Sequence, residues 1–148
     1  MLNQDFKDLL SAFNGAGVEF LVVGAHALAA HGHIRATKDL DVWVRPDPAN
    51  AHRLMLALHA FGAPTQAINE SEFTEPGITF QIGVEPVRID ILTDIDGVSF
   101  EAAWRNRVSA EYGDTRVFVL SREDFIANKR ASARPQDLAD IEALERLK

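Results

Sequence analysis

The stretch LVVGAHALAAHGHIRATKDLDVWV, residues 21–44, decides the fold of this chain. It opens with a short β-branched run that ends at Gly24, continues through an alanine-rich segment, and closes on acids that alternate with apolar residues. A period of two is that of a β-strand, so Asp39 and Asp41 project from one face while their apolar neighbours face the core. The stretch therefore predicts a strand, a helix and a second strand in succession.

Helix and strand signals alternate along the rest of the chain. Apolar residues at helical spacing stop at the Gly15 and Gly17 pair, which is typical of a helix end. An amphipathic helix opens at Asp47-Pro48 and closes at Gly62. Strands are also predicted at 78–82, 87–92 and 116–120, and helices at 25–31, at 100–105, after Ser121 and from Pro135 onward. The interleaving predicts an α/β or α+β fold, a mixed sheet flanked by helices, in one domain over residues 1–148; it leaves the strand order open.

Composition narrows the function classes. The 148 residues are 47% hydrophobic and 25% charged, which is ordinary for a globular domain. The formal net charge of -7 argues against a broad nucleic-acid surface, because such surfaces need Lys and Arg to neutralise phosphates. The absence of cysteine excludes disulfides, thiolate metal sites and cysteine nucleophiles. The acidic start MLNQDFKDLL does not resemble a signal peptide, and no apolar stretch is long enough for a bilayer, so we expect a cytoplasmic protein without membrane contact.

Asp39 and Asp41 are the first candidate metal ligands. Residues two apart on a strand have Cα atoms about 6.5–7 Å apart and point to the same side. Carboxylates this close repel one another unless a cation neutralises them, and their oxygen atoms suit Mg²⁺ or Mn²⁺. For an Asp-x-Asp alone, two solvated acids on an edge strand are the simpler interpretation, and neighbouring features decide between the two.

The turn at Gly24 is one such feature. It lies between a strand and a helix, where backbone N–H groups can hold a phosphate, and the absence of a Cβ allows close approach. Arg35, Thr37 and Lys38 crowd the entry to the acidic strand and can donate hydrogen bonds to a polyphosphate. These residues predict a nucleotide phosphate site beside the carboxylates.

Asp90 is the third candidate ligand. It is the one acid in the alternating strand VRIDIL, among apolar neighbours. An acid on a half-buried strand needs a partner, and a metal shared with Asp39 and Asp41 would supply it.

This arrangement resembles the nucleotidyltransferase superfamily of DNA polymerase β. The signature of that superfamily is a strand ending in Gly followed by Gly or Ser, a spacer, an Asp-apolar-Asp pair, and a carboxylate on a later strand. Here Gly24-Ala25 is followed after thirteen residues by Asp39-Leu40-Asp41, and later by Asp90. The wider wording resembles the minimal bacterial branch of AbiEii-type toxins and nucleotidyltransferase antitoxins, from about residue 15 to the end. The matching pieces are Gly24-x-His26-Ala27, His31-Gly32, Arg35-x-Thr37-x-Asp39-x-Asp41, Pro86-x-Arg88-Ile89-Asp90, and Lys129, Arg134-Pro135, Asp137 and Asp140 in the tail.

The resemblance implies a nucleotidyltransferase-like fold and a metal-dependent activity. The implied reaction transfers a nucleoside monophosphate from an NTP to an acceptor hydroxyl in RNA, protein or a small molecule, with a toxin–antitoxin system as one setting. Asp39, Asp41 and Asp90 are the implied catalytic residues and ligands of two Mg²⁺ or Mn²⁺ ions. The expected nucleotide-binding residues are Gly24, Ala25, His26, Arg35, Thr37 and Lys129.

One departure from the signature keeps a second interpretation open. Ala25 stands where the superfamily has Gly or Ser, so a hydroxyl donor to the phosphates is missing. The alternative is a catalytically weak or inactive antitoxin-type protein that neutralises a toxin-like partner by binding it. For Lys129 and Arg134, both a solvated helix face and a contact with nucleotide or acceptor remain open, and Asp137 and Asp140 are expected to serve the N-terminus of the last helix.

Overall fold

Strands from both halves of the chain form one mixed sheet. The computed structural model describes residues 3–34, 37–84 and 87–147, and over these ranges the sheet has six strands in the order β3-β4-β2-β1-β6-β5. β1 runs parallel to β6, and β2 parallel to β4, whereas the remaining neighbours are antiparallel. The strands are β1 Phe20–Val23, β2 Asp39–Val44, β3 Thr79–Val84, β4 Val87–Leu92, β5 Val108–Tyr112 and β6 Thr115–Val119.

Helices cover both faces of this sheet. Phe13 of α1 packs edge-on against Phe20 of β1, with ring centroids 5.3 Å apart, while Phe100 of α4 packs at 5.0 Å against Trp43 of β2. Phe20 and Trp43 point to opposite faces, since Phe20 is in register with the neighbouring Val44. The helices are α1 Gln4–Ala16, α2 Gly24–Ala30, α3 Pro48–Phe61, α4 Phe100–Arg105, α5 Arg122–Ser132 and α6 Pro135–Arg146, with 3₁₀ turns at Thr65–Ala67 and Glu70–Thr74.

The predicted fold class is confirmed, and the predicted helix ends have the expected chemistry. Gly17 and Gly62 both adopt the left-handed conformation that ends α1 and α3, with φ of 75° and 94°. Ser121 caps α5 by accepting a hydrogen bond from the Asp124 amide, and Pro135 begins α6. None of the helices in the described ranges is long and apolar enough to cross a membrane.

β5 is the element that the sequence pattern does not predict. It is the edge strand beyond β6, and most of its side chains are exposed. Its sequence VSAEY does alternate apolar and polar residues, but the run is short and only Ala110 and Tyr112 are partly buried, so it lacks the buried apolar face of the central strands.

Candidate functional site

The register between β2 and β4 brings the predicted acids together. The two strands run parallel, with Asp41 beside Asp90 and Asp39 beside Arg88. Neighbouring strands lie about 4.8 Å apart, so residues in register on the same face touch through their side chains. Parallel pairing of residues 49 positions apart in the sequence thus builds one cluster of three carboxylates and a guanidinium.

Gly24 forms the floor of this cluster. β1 pairs with β2 so that Val23 is in register with Asp41, and the next residue, Gly24, has a φ of 68°. A Cβ on Gly24 would collide with Oδ2 of Asp41. Glycine is therefore required here both by its backbone conformation and by the carboxylate that lies against it.

The cluster opens into a cleft of about 420 Å³. Acids outnumber basic groups in its walls, which makes the cleft a place for cations. The charged residues that line it are Asp39, Asp41, Asp90, Asp94, Asp96, Arg88, Lys129 and Arg134.

Arg88 is the basic group at the centre of the carboxylates. Its guanidinium grips Asp90 with two hydrogen bonds, Nε to Oδ1 at 2.9 Å and Nη2 to Oδ2 at 3.2 Å. The same Nη2 donates to Oδ2 of Asp39 at 3.3 Å. Asp90 therefore has Arg88 as its partner, in the place where the sequence predicts a metal ion.

Asp41 is left with an uncompensated charge. Burial raises the pKa of Asp41 to about 6, and the charges of Asp90 and Asp39 add to that rise. Lys129 and Arg88 act in the opposite direction without cancelling it. Over the described part of the chain, Oδ1 of Asp39 is also buried without a hydrogen-bond partner. The cluster thus has unsatisfied negative charge in a partly dehydrated place.

The opposite wall of the cleft is basic and belongs to α5 and α6. Lys129 is buried, with its Nζ 3.5 Å from Oδ1 of Asp137 and 5.3 Å from the ring of Phe125. Arg134 holds both oxygens of Asp137, at 2.8 and 3.3 Å. Burial would raise the pKa of Asp137, but the hydrogen bonds from Arg134 and the charge of Lys129 hold it below its usual value.

Asp137 also performs its predicted role at the N-terminus of α6. Its Oδ2 accepts a hydrogen bond from the backbone N–H of Arg134, the N-cap residue, at 3.1 Å. One carboxylate therefore orients the two basic side chains of the cleft and begins the last helix.

The donor set of the carboxylates fits a divalent cation, although their present arrangement does not enclose one. A buried orphan oxygen on Asp39 and a raised pKa on Asp41 are what a hard cation would relieve. Within residues 3–34, 37–84 and 87–147, no three His, Cys, Asp or Glu side chains converge closely enough to form a ready metal site. Asp39, Asp41 and Asp90 have the right chemistry, with Arg88 among them.

Eight of the nine predicted site residues lie in the described part of the chain, and they separate into two places. Gly24, Asp39, Asp41, Asp90 and Lys129 line the cleft together. A second cavity of about 570 Å³ on the opposite face of the sheet is lined by Ala25, His26 and Thr37. Successive helix residues are rotated by about 100°, so the positions after Gly24 in α2 point away from the cleft.

The contacts of the second group are local. His26 packs edge-on against the rings of Phe6 and Tyr112, at 5.7 and 5.6 Å, and burial lowers its pKa. Thr37 Oγ1 exchanges hydrogen bonds with the backbone of Asp39, both at 3.2 Å, and so steadies the start of β2. Arg35 lies outside the described residues.

Residues 1–147 match the family described as "Nucleotidyltransferase of unknown function (DUF6036)". This chain belongs to that nucleotidyltransferase family. The match spans both the carboxylate cluster and the basic wall of the cleft. No curated protein matches the sequence significantly.

A solved structure shares the nucleotidyltransferase fold. It is a candidate nucleotidyltransferase from Thermotoga maritima, solved by crystallography at 1.87 Å, with a TM-score of 0.59 and 13% sequence identity. The likeness covers 99% of this chain and 94% of that one. At this identity the comparison establishes the fold alone.

Sequence reasoning missed four residues that line the cleft or adjoin it in this nucleotidyltransferase family member. Arg88 belongs to the motif around Asp90 but has no predicted role at the site, although it lies two residues before Asp90 and so on the same strand face. Asp94 and Asp96 follow β4 directly, and Asn128 precedes Lys129. Asn128 donates from Nδ2 to the carbonyl of Asp96 at 2.9 Å, which ties α5 to the loop after β4. Only the strand face of Arg88 was readable in advance, because the other contacts depend on how α5 docks.

Proposed function

We propose that this protein is a metal-dependent nucleotidyltransferase that transfers a nucleoside monophosphate from an NTP to an acceptor hydroxyl. One observation carries the proposal: Asp41 is pressed between Gly24 and Asp90 with its pKa raised to about 6, so the cleft holds negative charge that its own basic groups leave uncompensated. A protein gains nothing for stability from such a site, and functional sites are where such costs are found.

In the proposed reaction the acceptor oxygen forms a bond to the α-phosphorus while the bond from that phosphorus to the bridging oxygen breaks. Pyrophosphate leaves with the bonding electron pair, and the acceptor's proton passes to a carboxylate of the cluster, Asp90 in our assignment. Asp39, Asp41 and Asp90 would hold the divalent cations, two Mg²⁺ or Mn²⁺ ions. When bound, these cations supply charge neutralisation for the attacking and leaving oxygens.

The basic wall is the proposed seat of the triphosphate. Lys129 and Arg134 face the carboxylates across the cleft, and both are oriented by Asp137. Fixed charges need no reorganisation as negative charge builds on the leaving pyrophosphate. The turn at Gly24 lies in the same cleft, so its backbone is the proposed contact for phosphate oxygens.

The experiment is a transfer assay with α-³²P-labelled ATP, GTP, CTP and UTP, each with Mg²⁺ or Mn²⁺. Acceptors are a mixed RNA pool, a protein extract, the protein itself and water, and pyrophosphate release is followed in parallel. We expect release with at least one NTP in the wild type and its loss in Asp41→Asn. Asp5→Asn on α1 is the matched neutralisation outside the cleft and should retain the activity.

The same assay separates the alternative. NTP binding without release of pyrophosphate from the NTP, whichever acceptor is present, would overturn the catalytic proposal in favour of a partner-binding protein related to the antitoxins. Placement in the AbiEii-type branch, and in a toxin–antitoxin system, is supported by the tail residues Lys129, Arg134 and Asp137, which form one connected cluster. Co-purification of a toxin-like protein would support that finer assignment.

A further inference from the structure

Arg88 occupies the carboxylate cluster in a way that the proposed metal chemistry does not use. It bonds both oxygens of Asp90 and one oxygen of Asp39, and these are two of the three carboxylates assigned to the divalent cations. Its side chain is 25% exposed, against 12% for that of Asp90. The Arg88 side chain is thus the more exposed partner of this ion pair.

The backbone explains why arginine is there. β2 and β4 pair in a register that places Asp41 beside Asp90, a like-charge pair in a central part of the sheet. The neighbouring register pair, Asp39 with Arg88, brings a positive charge to the same face. Like charges directly opposite one another destabilise a sheet, and a guanidinium bonded to one member of the pair, Asp90, offsets part of that cost.

We propose that Arg88 is a built-in counter-cation that must release Asp39 and Asp90 before those carboxylates can bind a divalent cation. Arg88 is then a positioning residue that sets the metal concentration needed for binding. The protein folds without metal, and the cleft binds metal only when the metal is abundant. The inference rests on the proposed function, because it concerns the same carboxylates.

We call the hydrogen-bonded hold of Arg88 on Asp39 and Asp90 the clamp. Two substitutions separate the clamp from a simple effect of charge. Arg88→Lys keeps the positive charge but loses the planar fork that holds both oxygens of Asp90. Arg88→Gln loses the charge and the fork. A clamp predicts tighter metal binding in both variants, whereas repulsion by distant charge alone predicts a change only in Arg88→Gln.

The experiment measures Mn²⁺ binding directly, from the loss of the free Mn²⁺ signal in electron paramagnetic resonance at fixed ionic strength. We expect the Kd for Mn²⁺ to fall about threefold in Arg88→Lys and about tenfold in Arg88→Gln. Thermal melts in EDTA should show both variants less stable than the wild type, with a larger gain on adding Mn²⁺.

Arg45 supplies the matched control. It also bridges two carboxylates, with Nε 2.6 Å from Glu19 and Nη1 at Glu101, but it follows β2 at the end away from the cluster. Arg45→Lys and Arg45→Gln should lower stability without changing the Kd for Mn²⁺.

A wild-type measurement covers the case in which a variant fails to fold. The Arg88 Nε–H resonance of the wild type, assigned by triple-resonance spectra through its own side chain, should move on addition of Mg²⁺ while that of Arg45 stays in place. An unmoved Arg88 resonance at saturating Mg²⁺, or Kd values equal in wild type and Arg88→Lys, would overturn the clamp and leave the proposed function standing. Absence of Mn²⁺ binding in the wild type and in every variant would overturn both.

Discussion

At each end of β2 an arginine lies between carboxylates, but the balance of charge differs between the two ends. Beyond its C-terminal end, Arg45 bridges Glu19 and Glu101 and lies 4.9 Å from the centre of the Phe100 ring. There the hydrogen bond and charge of Arg45 lower the pKa of Glu101. At the N-terminal end Arg88 bridges Asp39 and Asp90, but Asp41 remains, and its pKa is raised.

The difference lies in the number of carboxylates that each arginine faces. Two acids around one guanidinium make a structural ion pair, which contributes modestly to stability. A third acid leaves an excess of negative charge that the basic groups of the cleft do not cancel, and this excess is why we propose a cation site there. The excess of negative charge at one end of β2, and its absence at the other, is our reason for proposing the chemistry at the Asp41 end.

Removing the third carboxylate should have the largest effect on activity. Asp41→Asn should reduce nucleotidyl transfer about 10³-fold, because a direct ligand of the reacting centre is lost. Pyrophosphate release under saturating Mn²⁺ measures this. Glu19→Gln makes the corresponding change at the Arg45 end and should leave transfer unaffected; equal losses in the two variants would remove the distinction between the ends.

Asp41→Asn, which should lower activity, should have the opposite effect on stability in the absence of metal and make the protein more stable. The folded-state pKa of Asp41 is about 6 and its ordinary value is 3.8, so the folded protein binds the extra proton between these values. The contribution of Asp41 to wild-type stability should therefore fall as the pH rises from 4 to above 6, by about 3 kcal/mol at most.

Urea unfolding in EDTA at pH values from 4 to 8 tests this expectation. Asp41→Asn lacks the ionising group, so it should equal the wild type near pH 4 and be more stable at pH 8. A stability difference that does not change with pH would mean that Asp41 is already compensated in the folded protein.

Gly24 and Gly62 form a pair that isolates the contact with Asp41. Both have positive φ, and a Cβ on Gly62 would meet no atom within 4 Å, whereas one on Gly24 would meet Asp41 Oδ2. Alanine should cost about 1 kcal/mol of backbone strain at either position. Only Gly24→Ala should also displace the carboxylate, adding about 1–2 kcal/mol and abolishing the Mn²⁺ response. Thermal melts with and without Mn²⁺ decide it, and a retained response in Gly24→Ala would separate the turn from the metal site.

The smallest effect is expected at the joint between α5 and α6. Ala133 has a φ of 52°, a conformation that glycine adopts without strain. Ala133→Gly should raise the free energy of unfolding by about 1 kcal/mol and leave Mn²⁺ binding unchanged, since Lys129 and Arg134 keep their partner Asp137. A weakened Mn²⁺ response would show that strain at this joint helps to position the basic wall. Urea unfolding and a Mn²⁺ titration provide the two values.

Local patterns were sufficient for part of the site. The alternation in β2 and β4 placed Asp39, Asp41 and Asp90 on one sheet face, and glycine after β1 indicated the turn beside them. Local patterns do not contain the register between strands. Asp39 pairs with Arg88, 49 positions away in the sequence, so the bridging role of this arginine is visible only in the folded chain.

The residues predicted to contact the phosphates lie in two different cavities, and the reason is geometric. Gly24 faces the cleft, while Ala25 and His26 follow it on a helix and so line the cavity on the opposite sheet face. Motif neighbours in sequence are spatial neighbours on a strand face only at every second residue and on a helix at every third or fourth. Their assignment to the nucleotide remains a prediction.

The most direct test of the central claim is a thermal melt of the wild type and Asp41→Asn with an NTP, with Mn²⁺, and with both together. A ligand that binds only the folded state raises the melting temperature. If the carboxylate cleft is a metal-dependent nucleotide site, the two ligands together should stabilise the wild type by more than the sum of their separate effects, and Asp41→Asn should show no such gain. Equal gains in both proteins, or NTP stabilisation that does not depend on Mn²⁺, would contradict the account.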